Sequence, residues 1–404
     1  MTQVPHADPA PLHILISTGE VSGDLQGSYL VQALHRQAQT AGQRVRLSAV
    51  GGPRMAAAGV ELLWDTTGIS SVGIFEALPY LLPVWRLQRR LQRFLQQESV
   101  DLVVFLDYMG PNLGLGKTLR QRYPGLLTAY YIAPQQWVWT FSEQDTRSLV
   151  DISDHMVAIF PQEAGYYQRY GAQVNYFGHP LVDRLQLAPT RATARQQLGI
   201  AAEATVVTLL PASRRQEVKY ILPLMLAVAA QIRAALPGTE FLLPVSTPQL
   251  RSAIEAAIAR GPIQPRLVEG ESLTAIAAAD LVLNKSGTAN LEVALMDVPQ
   301  VVIYRLNPLT ARIGYYLLNL RVEFVSPANL FLNRGIVPEF IQWEATVPRV
   351  TAASLQLLTE AKPRQAMLQG YADLRAAMGT PGVCDRVAAY LLDLARRGAA
   401  AAAD

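Results

Sequence analysis

The sequence predicts an α/β protein made of two doubly wound, Rossmann-like domains that face a common cleft. The chain has 404 residues, more than one hydrophobic core usually organises, so we expect two domains. Half of the residues are hydrophobic and 17% are charged, which excludes an intrinsically disordered chain. Short apolar runs alternate with helix-length segments in two successive series. This alternation is typical of parallel sheets covered by helices.

Each series of apolar runs predicts one sheet of buried strands. The runs of the first series are Leu12–Ser17, Leu47–Val50, Leu102–Leu106, Leu127–Ile132, Met156–Phe160 and Val174–Phe177. Those of the second series are Thr205–Leu210, Phe241–Val245, Arg266–Val268, Leu281–Asn284 and Val301–Tyr304. Because α/β proteins of this kind bind ligands at the carboxyl ends of their strands, we look for function there.

A segment that contains Gly178, Pro180 and Pro189 separates the two series and predicts the domain junction. After about Glu344 the strand patterns stop and helical patterns follow. We expect the last helices to pack back across the domains, and we expect their Gly-Ala-rich end to fray. The predicted parts are an N-terminal domain, a C-terminal domain and these closing helices, at residues 1–185, 186–345 and 346–404.

Composition excludes several classes of protein. Only four of the 35 basic residues are lysines, which leaves 31 arginines against 32 acidic residues. The net charge of +3 is too small to indicate a nucleic-acid binder. Cys384 is the only cysteine, so neither a disulfide nor a cysteine zinc site is expected. We see no signal-peptide pattern and no unbroken apolar stretch of about 18 residues, and we therefore expect a soluble or at most peripheral protein.

The first predicted strand runs into a turn that contains Gly19 and Gly23. Such glycines let the backbone turn sharply from a strand into a helix, whose N-terminus attracts anions. Their spacing differs from the dinucleotide-binding GxGxxG pattern, so nucleotide-dependent redox chemistry is not expected. A tight turn in which Asp24 caps a helix explains the pattern equally well.

Two turns in the second half are predicted to bind phosphate. Arg214 follows a strand and opens a helix, where the helix dipole favours an anion and disfavours an unpaired arginine. At the next such turn Ser286 and Thr288 supply hydroxyls, and Glu292 could accept hydrogen bonds from a ribose diol. The alternative is that Ser286 only caps the helix while Glu292 is exposed.

The remaining polar positions bear on catalysis and metal binding. Asp107 directly follows a predicted strand, where carboxylates are often catalytic, although helix capping is the commoner role. No Asp-x-Asp pair occurs, so we expect no Mg²⁺ or Mn²⁺ site. His179 and Asp183 lie four residues apart, and with only five histidines in the chain a structural or positioning role is favoured over zinc binding.

The segment from Val84 to Glu98 has one apolar face and one arginine-rich face, as a core-facing helix would. Further apolar residues precede or flank it, more than one stripe buries: Leu78, Leu81, Leu82 and Trp85. A basic amphipathic element with an aromatic anchor also suits an anionic membrane surface. Both interpretations stay open.

Short motifs follow one another through both halves in a fixed order. Those of the first half are Gly19-Glu20-x-Ser22-Gly23-Asp24-x-x-Gly27, Gly51-Gly52-Pro53-Arg54-Met55, Gly73-Ile74-x-Glu76, Asp107 with Asn112, Pro134-x-x-Trp137-x-Trp139 and Gly178-His179. Those of the second half are Leu210-Pro211-x-Ser213-Arg214-x-x-Glu217-Val218, Ser286-Gly287-Thr288-Ala289-x-Leu291-Glu292, Tyr304-Arg305 and Val325-Ser326-x-x-Asn329-Leu330. In this order they resemble the lipid-A-disaccharide synthase family from about residue 12 to 345.

The resemblance implies a B-type glycosyltransferase fold and an inverting reaction that forms lipid A disaccharide 1-phosphate and UDP. The implied substrates are UDP-2,3-diacylglucosamine and, through its 6-hydroxyl, 2,3-diacylglucosamine 1-phosphate. No cofactor, metal or nucleic acid is implied. The expected location is cytoplasmic and peripheral, on the inner face of the cytoplasmic membrane, and a homodimer is compatible with the sequence.

The resemblance also implies roles for individual residues. Asp107 is the expected catalytic base and Glu20 the second candidate. The expected donor-binding residues are Ser213, Arg214, Ser286, Gly287, Thr288, Glu292, Asn329 and Gln342. The expected acceptor-binding residues are Gly19, Ser22, Gly23, Asp24, Glu76, Asn112 and Trp137. Membrane or acyl contact is expected at Leu78, Leu81, Leu82 and Trp85.

Some positions depart from the family pattern. The family commonly has a second carboxylate within the segment that here spans Asp107 to Asn112, and a basic run where Thr140 to Glu143 stand. Ala212, Lys285 and Asn290 also replace smaller residues. Two other classes therefore stay open: another UDP-sugar enzyme on this fold, such as a 2-epimerase or a transferase for a different acceptor, and a non-catalytic UDP-sugar-binding protein.

Overall fold

A computed structural model describes residues 10–19, 21–66, 81–107, 109–138, 142–211, 215–245, 248–270, 272–306 and 323–403. Its contacts divide the chain into two compact units. Unit 1 comprises Met1–Pro180 together with Thr380–Asp404, and unit 2 comprises Leu181–Gly379. Each unit contains one fully parallel sheet with helices packed on it.

Unit 1 has seven strands in the order β3-β2-β1-β4-β5-β6-β7. The strands are β1 Leu12–Ser17, β2 Val45–Gly51, β3 Glu61–Asp65, β4 Leu102–Leu106, β5 Leu127–Tyr131, β6 His155–Ala158 and β7 Val174–Tyr176. The helices are α1 Val21–Thr40, α2 Pro53–Ala57, α3 Leu81–Gln97, α4 Met109–Arg122, α5 Glu143–Asp151, α6 Pro161–Arg169 and, at the end of the chain, α16 Val383–Ala403. Strands β1 and β4 are buried along their whole length, as expected for central parallel strands.

Unit 2 has six strands in the order β10-β9-β8-β11-β12-β13. The strands are β8 Val206–Leu210, β9 Glu240–Val245, β10 Arg266–Glu269, β11 Leu281–Lys285, β12 Gln300–Tyr304 and β13 Glu339–Ile341. The helices are α7 Leu181–Arg184, α8 Arg191–Leu198, α9 Arg215–Ala235, α10 Arg251–Ala259, α11 Ser272–Ala278, α12 Ala289–Leu295, α13 Pro327–Leu332, α14 Val347–Thr359 and α15 Ala361–Met378. Short 3-10 turns lie at Leu185–Leu187 and Pro248–Leu250.

All eleven predicted strands are confirmed, most within one or two residues of their predicted ends. Two strands, β3 and β13, escaped the sequence analysis. Both lie at sheet edges, where a strand needs no continuous apolar run, and each begins with a glutamate. β13 also has only three residues.

The chain's last helix includes the Gly-Ala-rich end. α16 continues as far as Ala403, in keeping with the high helix propensity of alanine, and fraying of this end stays a prediction. α16 packs against α1 and β1. At Gly398 a side chain is excluded, because a Cβ there would lie 2.1 Å from the carbonyl oxygen of Asp101. The helix therefore approaches the sheet of unit 1 through its own backbone.

Helix α9 contains a long and largely apolar segment, although Lys219, Pro223 and Arg233 interrupt it. Within the described residues, Glu217–Ala235 is the one segment long and apolar enough to span a membrane by length and composition. Core helices pass the same test, and here Ile221, Leu222 and Met225 are at most 1% exposed in the interior of unit 2. Its packing against α10 and α14 accounts for the buried half of its surface.

Candidate functional site

The sheet of unit 1 has its topological switch point between β1 and β4, where the order of the strands reverses. Loops that follow such neighbouring strands diverge and leave a crevice at the carboxyl edge of the sheet, which is where ligands bind in this architecture. Asp107 follows β4, and the turn that contains Gly19 and Ser22 follows β1. The two main candidates in the first half of the sequence therefore lie at one point of the fold.

Asp107 has an unusual backbone that its neighbours hold in place. Its φ is +54°, in the left-handed region that few non-glycine residues adopt. The Asp107 amide donates to the carbonyl oxygen of Ile132 over 3.2 Å, and its carbonyl accepts from the Tyr130 hydroxyl over 2.6 Å. Such conformations cost about 1–3 kcal/mol and are concentrated at functional sites.

The side chain of Asp107 contacts a predicted acceptor residue. Ser22 Oγ, in the first turn of α1, donates to Asp107 Oδ2 over 2.9 Å. One helical turn into α4, buried Asn112 accepts from Ser17 Oγ over 2.8 Å and donates to the carbonyl oxygen of Leu106. Asn112 thus ties the ends of β1 and β4 together beneath Asp107, which suits a positioning role.

Asp24 realises the capping alternative. Its two carboxylate oxygens accept from the backbone amides of Met55 and Arg54, at 3.0 and 3.1 Å. These are first-turn amides of α2, so the buried Asp24 fixes the Gly51–Gly52 loop. Gly23 lies against β1's end, since a Cβ there would be 1.9 Å from Thr18 Oγ1. The structure therefore gives Asp24 and Gly23 structural contacts, and direct acceptor binding by either stays a prediction.

Trp137 belongs to an aromatic cluster beyond the ends of β5 to β7. Its ring centroid is 5.3 Å from that of Phe160, and Phe160 in turn packs edge-on against His179 at 5.4 Å. Trp137 Nε1 is buried without a hydrogen-bond partner among the described residues. Full burial lowers the pKa of His179 to about 3, so this ring is neutral. The positioning role predicted for His179 fits this stack.

In the first turn of α6, Glu163 is a buried carboxyl group that was not among the predicted site residues. Glu163 Oε2 accepts from the amides of Ile159 and Phe160, over 2.9 and 3.2 Å. Burial raises the pKa of Glu163 to about 8, although both amide hydrogen bonds oppose the shift. The pattern Pro161-x-Glu163 at a helix start is a capping-box signal that could have found it.

In unit 2 the switch point lies between β8 and β11. Ser213 and Arg214 follow β8 but lie outside the described residues. The turn after β11 carries Ser286, Gly287 and Thr288. The turn that carries Ser286, Gly287 and Thr288 is thus at the switch point of the second sheet, the position that favours ligands, and Ser213 and Arg214 follow the neighbouring strand in the sequence.

The turn after β11 differs from the alternative in which Ser286 only caps the helix and Glu292 is exposed. Ser286 is not the helix N-cap: Thr288 is, while Ser286 Oγ donates to the carbonyl oxygen of Val325 over 2.6 Å. Asn290 bridges the turn by accepting from the Gly287 amide and donating to the Lys285 carbonyl oxygen. Thr288 is exposed at the tip of the turn.

Glu292 is not exposed but almost fully buried, at 5%. One of its oxygens accepts from Arg184, whose side chain is only 13% exposed. Arg184 lies in α7, and no spacing or motif in the sequence indicated it. Nearby, Lys285 Nζ donates to Glu217 Oε1 over 3.1 Å, so these two side chains form a second ion pair at this edge of the sheet.

The last two predicted donor residues hold loops at the same edge. Asn329, 1% exposed, donates to Glu339 and the Val337 carbonyl oxygen, and its Oδ1 accepts from the Val337 amide. Gln342, with φ +48°, pairs through its side-chain amide with the backbone of Leu306. These contacts favour positioning roles, and direct donor contact stays a prediction for both.

Several predicted residues lie outside the described residues, namely Glu20, Glu76, Leu78, Ser213 and Arg214. In α3, the side chains of Leu81, Leu82 and Trp85 also lie outside them. The described part of α3 packs Leu87, Leu91 and Leu95 into the core of unit 1 and exposes its arginines. Membrane contact by the preceding segment stays a prediction. Among the described residues no three His, Cys, Asp or Glu side chains are grouped as metal ligands would be.

Comparison with known proteins identifies the family of the chain. The sequence profile described as lipid-A-disaccharide synthetase matches residues 14–389. The chain belongs to this family. It is 47% identical over 382 residues to a lipid-A-disaccharide synthase of Gloeothece citriformis, which covers 95% of this chain and 100% of the relative. A synthase of Myxococcus xanthus is 34% identical over 384 residues, 95% of this chain and 98% of its own. As a lipid-A-disaccharide synthetase, the protein is a glycosyltransferase enzyme of lipid A biosynthesis.

Solved structures with little sequence identity share the fold of this lipid-A-disaccharide synthetase. MurG of Acinetobacter baumannii superimposes with a TM-score of 0.56 at 17% identity, over 96% of this chain and all of that one. The UDP-GlcNAc 2-epimerase of Neisseria meningitidis, solved with UDP-GlcNAc, gives a TM-score of 0.64 at 11% identity, over 95% and 100%. The predicted fold class, two Rossmann-like α/β domains of the B type, is confirmed.

Proposed function

We propose that this synthetase transfers 2,3-diacylglucosamine from UDP to the 6-hydroxyl of 2,3-diacylglucosamine 1-phosphate and inverts the anomeric carbon. The membership of the family over nearly the whole chain supports the reaction. The observation that carries the mechanism is the placement of Asp107 at the switch point of unit 1, with its backbone and carboxylate both held.

In the proposed mechanism Asp107 is the general base. It takes the proton of the acceptor's 6-hydroxyl while that oxygen forms a bond to C1 of the donor sugar. The bond between C1 and the diphosphate oxygen breaks, and its electron pair leaves with UDP. Attack from the face opposite the leaving group inverts C1. Unit 1 supplies the acceptor contacts, which we assign to Gly19, Ser22, Glu76 and Trp137, with Glu20 as the second candidate base.

We assign the donor to unit 2. Arg214 and Ser213 would bind the diphosphate together with Ser286, Gly287 and Thr288, because arginine and turn hydroxyls suit phosphate oxygens. Glu292 would accept hydrogen bonds from the ribose hydroxyls while it keeps its ion pair with Arg184. Asn329 and Gln342 would keep the adjoining loops in place. Charge neutralisation by arginine requires no metal, so activity should survive EDTA.

We further propose a peripheral position on the inner face of the cytoplasmic membrane, since both substrates carry acyl chains that partition into lipid. Leu78, Leu81, Leu82 and Trp85 would make this contact.

One experiment tests the reaction and separates the alternatives. The enzyme is incubated with UDP-2,3-diacylglucosamine and 2,3-diacylglucosamine 1-phosphate, with and without EDTA, and the products are read by mass spectrometry. We expect the disaccharide 1-phosphate and UDP in both. Conversion of UDP-N-acetylglucosamine without any acceptor would instead identify a 2-epimerase. UDP binding with no turnover of either donor would identify a non-catalytic protein.

A further inference from the structure

Unit 2 has an apolar groove on its surface that none of the residues assigned above lines. It lies between helices α9 and α10 and has a volume of about 550 Å³. Its walls are formed by small and aliphatic residues, among them Val218, Pro223, Leu226, Ala253, Ala257 and Pro262. The size is that of a small-molecule site, and the lining suits an apolar ligand.

Helix α9 buries its large apolar side chains and leaves a smaller apolar surface at the groove. Ile221, Leu222 and Met225 are at most 1% exposed, whereas Pro223, in the wall of the groove, is exposed. On the opposite wall Ala256 is exposed and Ala257 is half-buried. The apolar surface that a ligand could cover therefore comes mainly from Pro223 and these alanines.

The groove begins at the edge of the sheet where we place the donor. α9 follows β8 and α10 follows β9, so both helices start at the carboxyl edge. Val218, at the near end of the groove, adjoins Glu217, which pairs with Lys285 at the end of β11. From Val218 to Leu226 the helix rises about 12 Å. The groove is therefore elongated and suits an extended chain that starts from the switch point.

The rim of the groove is basic. Lys219 and Arg260 are exposed and border it, and none of its described lining residues is acidic. The Lys219 ammonium lies 5.4 Å from the centroid of the Tyr220 ring. Long basic side chains can lay their methylenes along an apolar ligand and keep their charge in water. Such a rim fits a ligand that joins an apolar chain to ester, amide or phosphate oxygens.

We propose that this groove binds one acyl chain of the donor, the acylated sugar nucleotide. The inference rests on the proposed function, because unit 2 must hold the donor for its acyl chain to reach α9. It deepens that function by giving unit 2 a second subsite, apolar and separate from the phosphate-binding turns. Binding of the UDP part then positions C1, while the groove distinguishes an acylated donor from a sugar nucleotide that has no acyl chain.

The test fills the groove. Ala257→Phe introduces a ring into it, and Ser252→Phe, on an exposed position of the same helix that does not line the groove, is the matched control. Binding of UDP and of UDP-2,3-diacylglucosamine is measured by calorimetry below the donor's aggregation threshold. We expect the wild type to bind the acylated donor at least about tenfold more tightly than UDP, since even one methylene in an apolar pocket can be worth that much.

Ala257→Phe should abolish this preference and leave the affinity for UDP unchanged, whereas Ser252→Phe should keep both. Ala256→Phe, from an exposed position on the same wall, gives the same expectation if Ala257→Phe does not fold. A wild type that binds both ligands equally, or filled variants that retain the preference, would overturn the proposal.

Two further outcomes are informative. If filling the groove reduces binding to vesicles of phosphatidylglycerol but not the preference for acylated donor, the groove holds membrane lipid and the proposal is wrong. Turnover is assayed separately in the wild type with both substrates. Absence of turnover counts against the proposed function. Whether the groove binds the acyl chain is decided separately, by the calorimetric preference for the acylated donor over UDP.

Discussion

Ser22 Oγ donates to Asp107 Oδ2 over 2.9 Å, which links the first turn of α1 to the residue that ends β4. The two residues are far apart in sequence and meet because β1 and β4 are neighbours at the switch point. The bond fixes the orientation of the carboxylate, just as Ile132 and Tyr130 fix its backbone. A base held in this way loses little freedom when an acceptor hydroxyl binds to it.

The first prediction concerns Asp107 as the base. Asp107→Asn should lower kcat by roughly two to four decades, because proton removal contributes that much to such a reaction. The affinity for UDP should stay the same, since a base acts in the transition state. Steady-state kinetics and calorimetry on the same preparation measure both quantities.

Two controls separate this role from a purely structural one. Ser22→Ala removes the orienting hydrogen bond and the acceptor contact assigned to Ser22 but keeps the carboxylate, and it should cost about tenfold or less in kcat, consistent with a loss of about 1 kcal/mol. Glu20→Gln should act mainly on the KM of the acceptor. A nearly normal Asp107→Asn together with an inactive Glu20→Gln would make Glu20 the base and leave Asp107 as a structural residue.

Sequence patterns predicted the fold and the neighbourhood of the site because both depend on local signals. Buried parallel strands need continuous apolar runs, and Asp107 and Ser286 stand where such runs end. The patterns could not show pairings that only the fold creates. Arg184 meets Glu292 across 108 positions, and Glu339 holds Asn329 from a three-residue edge strand. Nor could they show that the Asp24 carboxylate accepts hydrogen bonds from amides of α2, although helix capping was one of the two interpretations of Asp24.

The second prediction tests whether Glu292 serves the ligand or only Arg184. Both side chains are largely buried, so Glu292→Met should destabilise unit 2 by about 3–5 kcal/mol because it removes one partner of a buried ion pair. The double variant Arg184→Met/Glu292→Met should regain most of the stability, measured by urea unfolding. If Glu292 binds ribose, UDP affinity stays low in the double variant; recovery of UDP affinity would reduce Glu292 to an ion-pair partner.

A third prediction concerns Arg214 in the neighbouring turn. Arg214→Ala should weaken UDP binding by about 1.5–3 kcal/mol, the range for charge-assisted hydrogen bonds to a diphosphate. Arg260→Ala is a suitable control, since it removes an exposed arginine of unit 2 at the far end of the groove. Unchanged calorimetric affinity in a folded Arg214→Ala protein would remove this residue from the donor site.

The fourth prediction concerns the start of α3. Replacing Leu81, Leu82 and Trp85 by serine should reduce binding to anionic vesicles and leave UDP binding intact, because the nucleotide is assigned to unit 2. Leu91→Ala is the contrasting variant: Leu91 is 3% exposed in the core of unit 1, so its loss should lower stability instead. Equal vesicle binding by wild type and triple variant would return the segment to an ordinary helix start.

The last prediction follows from two buried titratable groups with opposite shifts. Burial raises the pKa of Glu163 to about 8 from an ordinary 4.5, so the folded protein holds a proton that the unfolded chain releases. The contribution of Glu163 to stability is therefore full below pH 4.5 and is lost as pH rises through 8. Burial lowers the pKa of His179 to about 3 from 6.5, so its contribution is present above pH 6.5 and is lost as pH falls toward 3.

Between pH 6.5 and pH 8, only Glu163 of these two groups makes stability depend on pH. Over this range the free energy of unfolding should fall by up to about 1.4 kcal/mol per pH unit. Glu163→Gln keeps the shape of the protonated acid without its titration, so the decline should be absent in urea unfolding at pH 6.5, 7.25 and 8, values that span about that window. His179→Gln should keep the decline and flatten only the acid side. An identical decline in wild type and Glu163→Gln would mean that Glu163 is already ionised in the folded protein, and that its amide hydrogen bonds from Ile159 and Phe160 outweigh its burial.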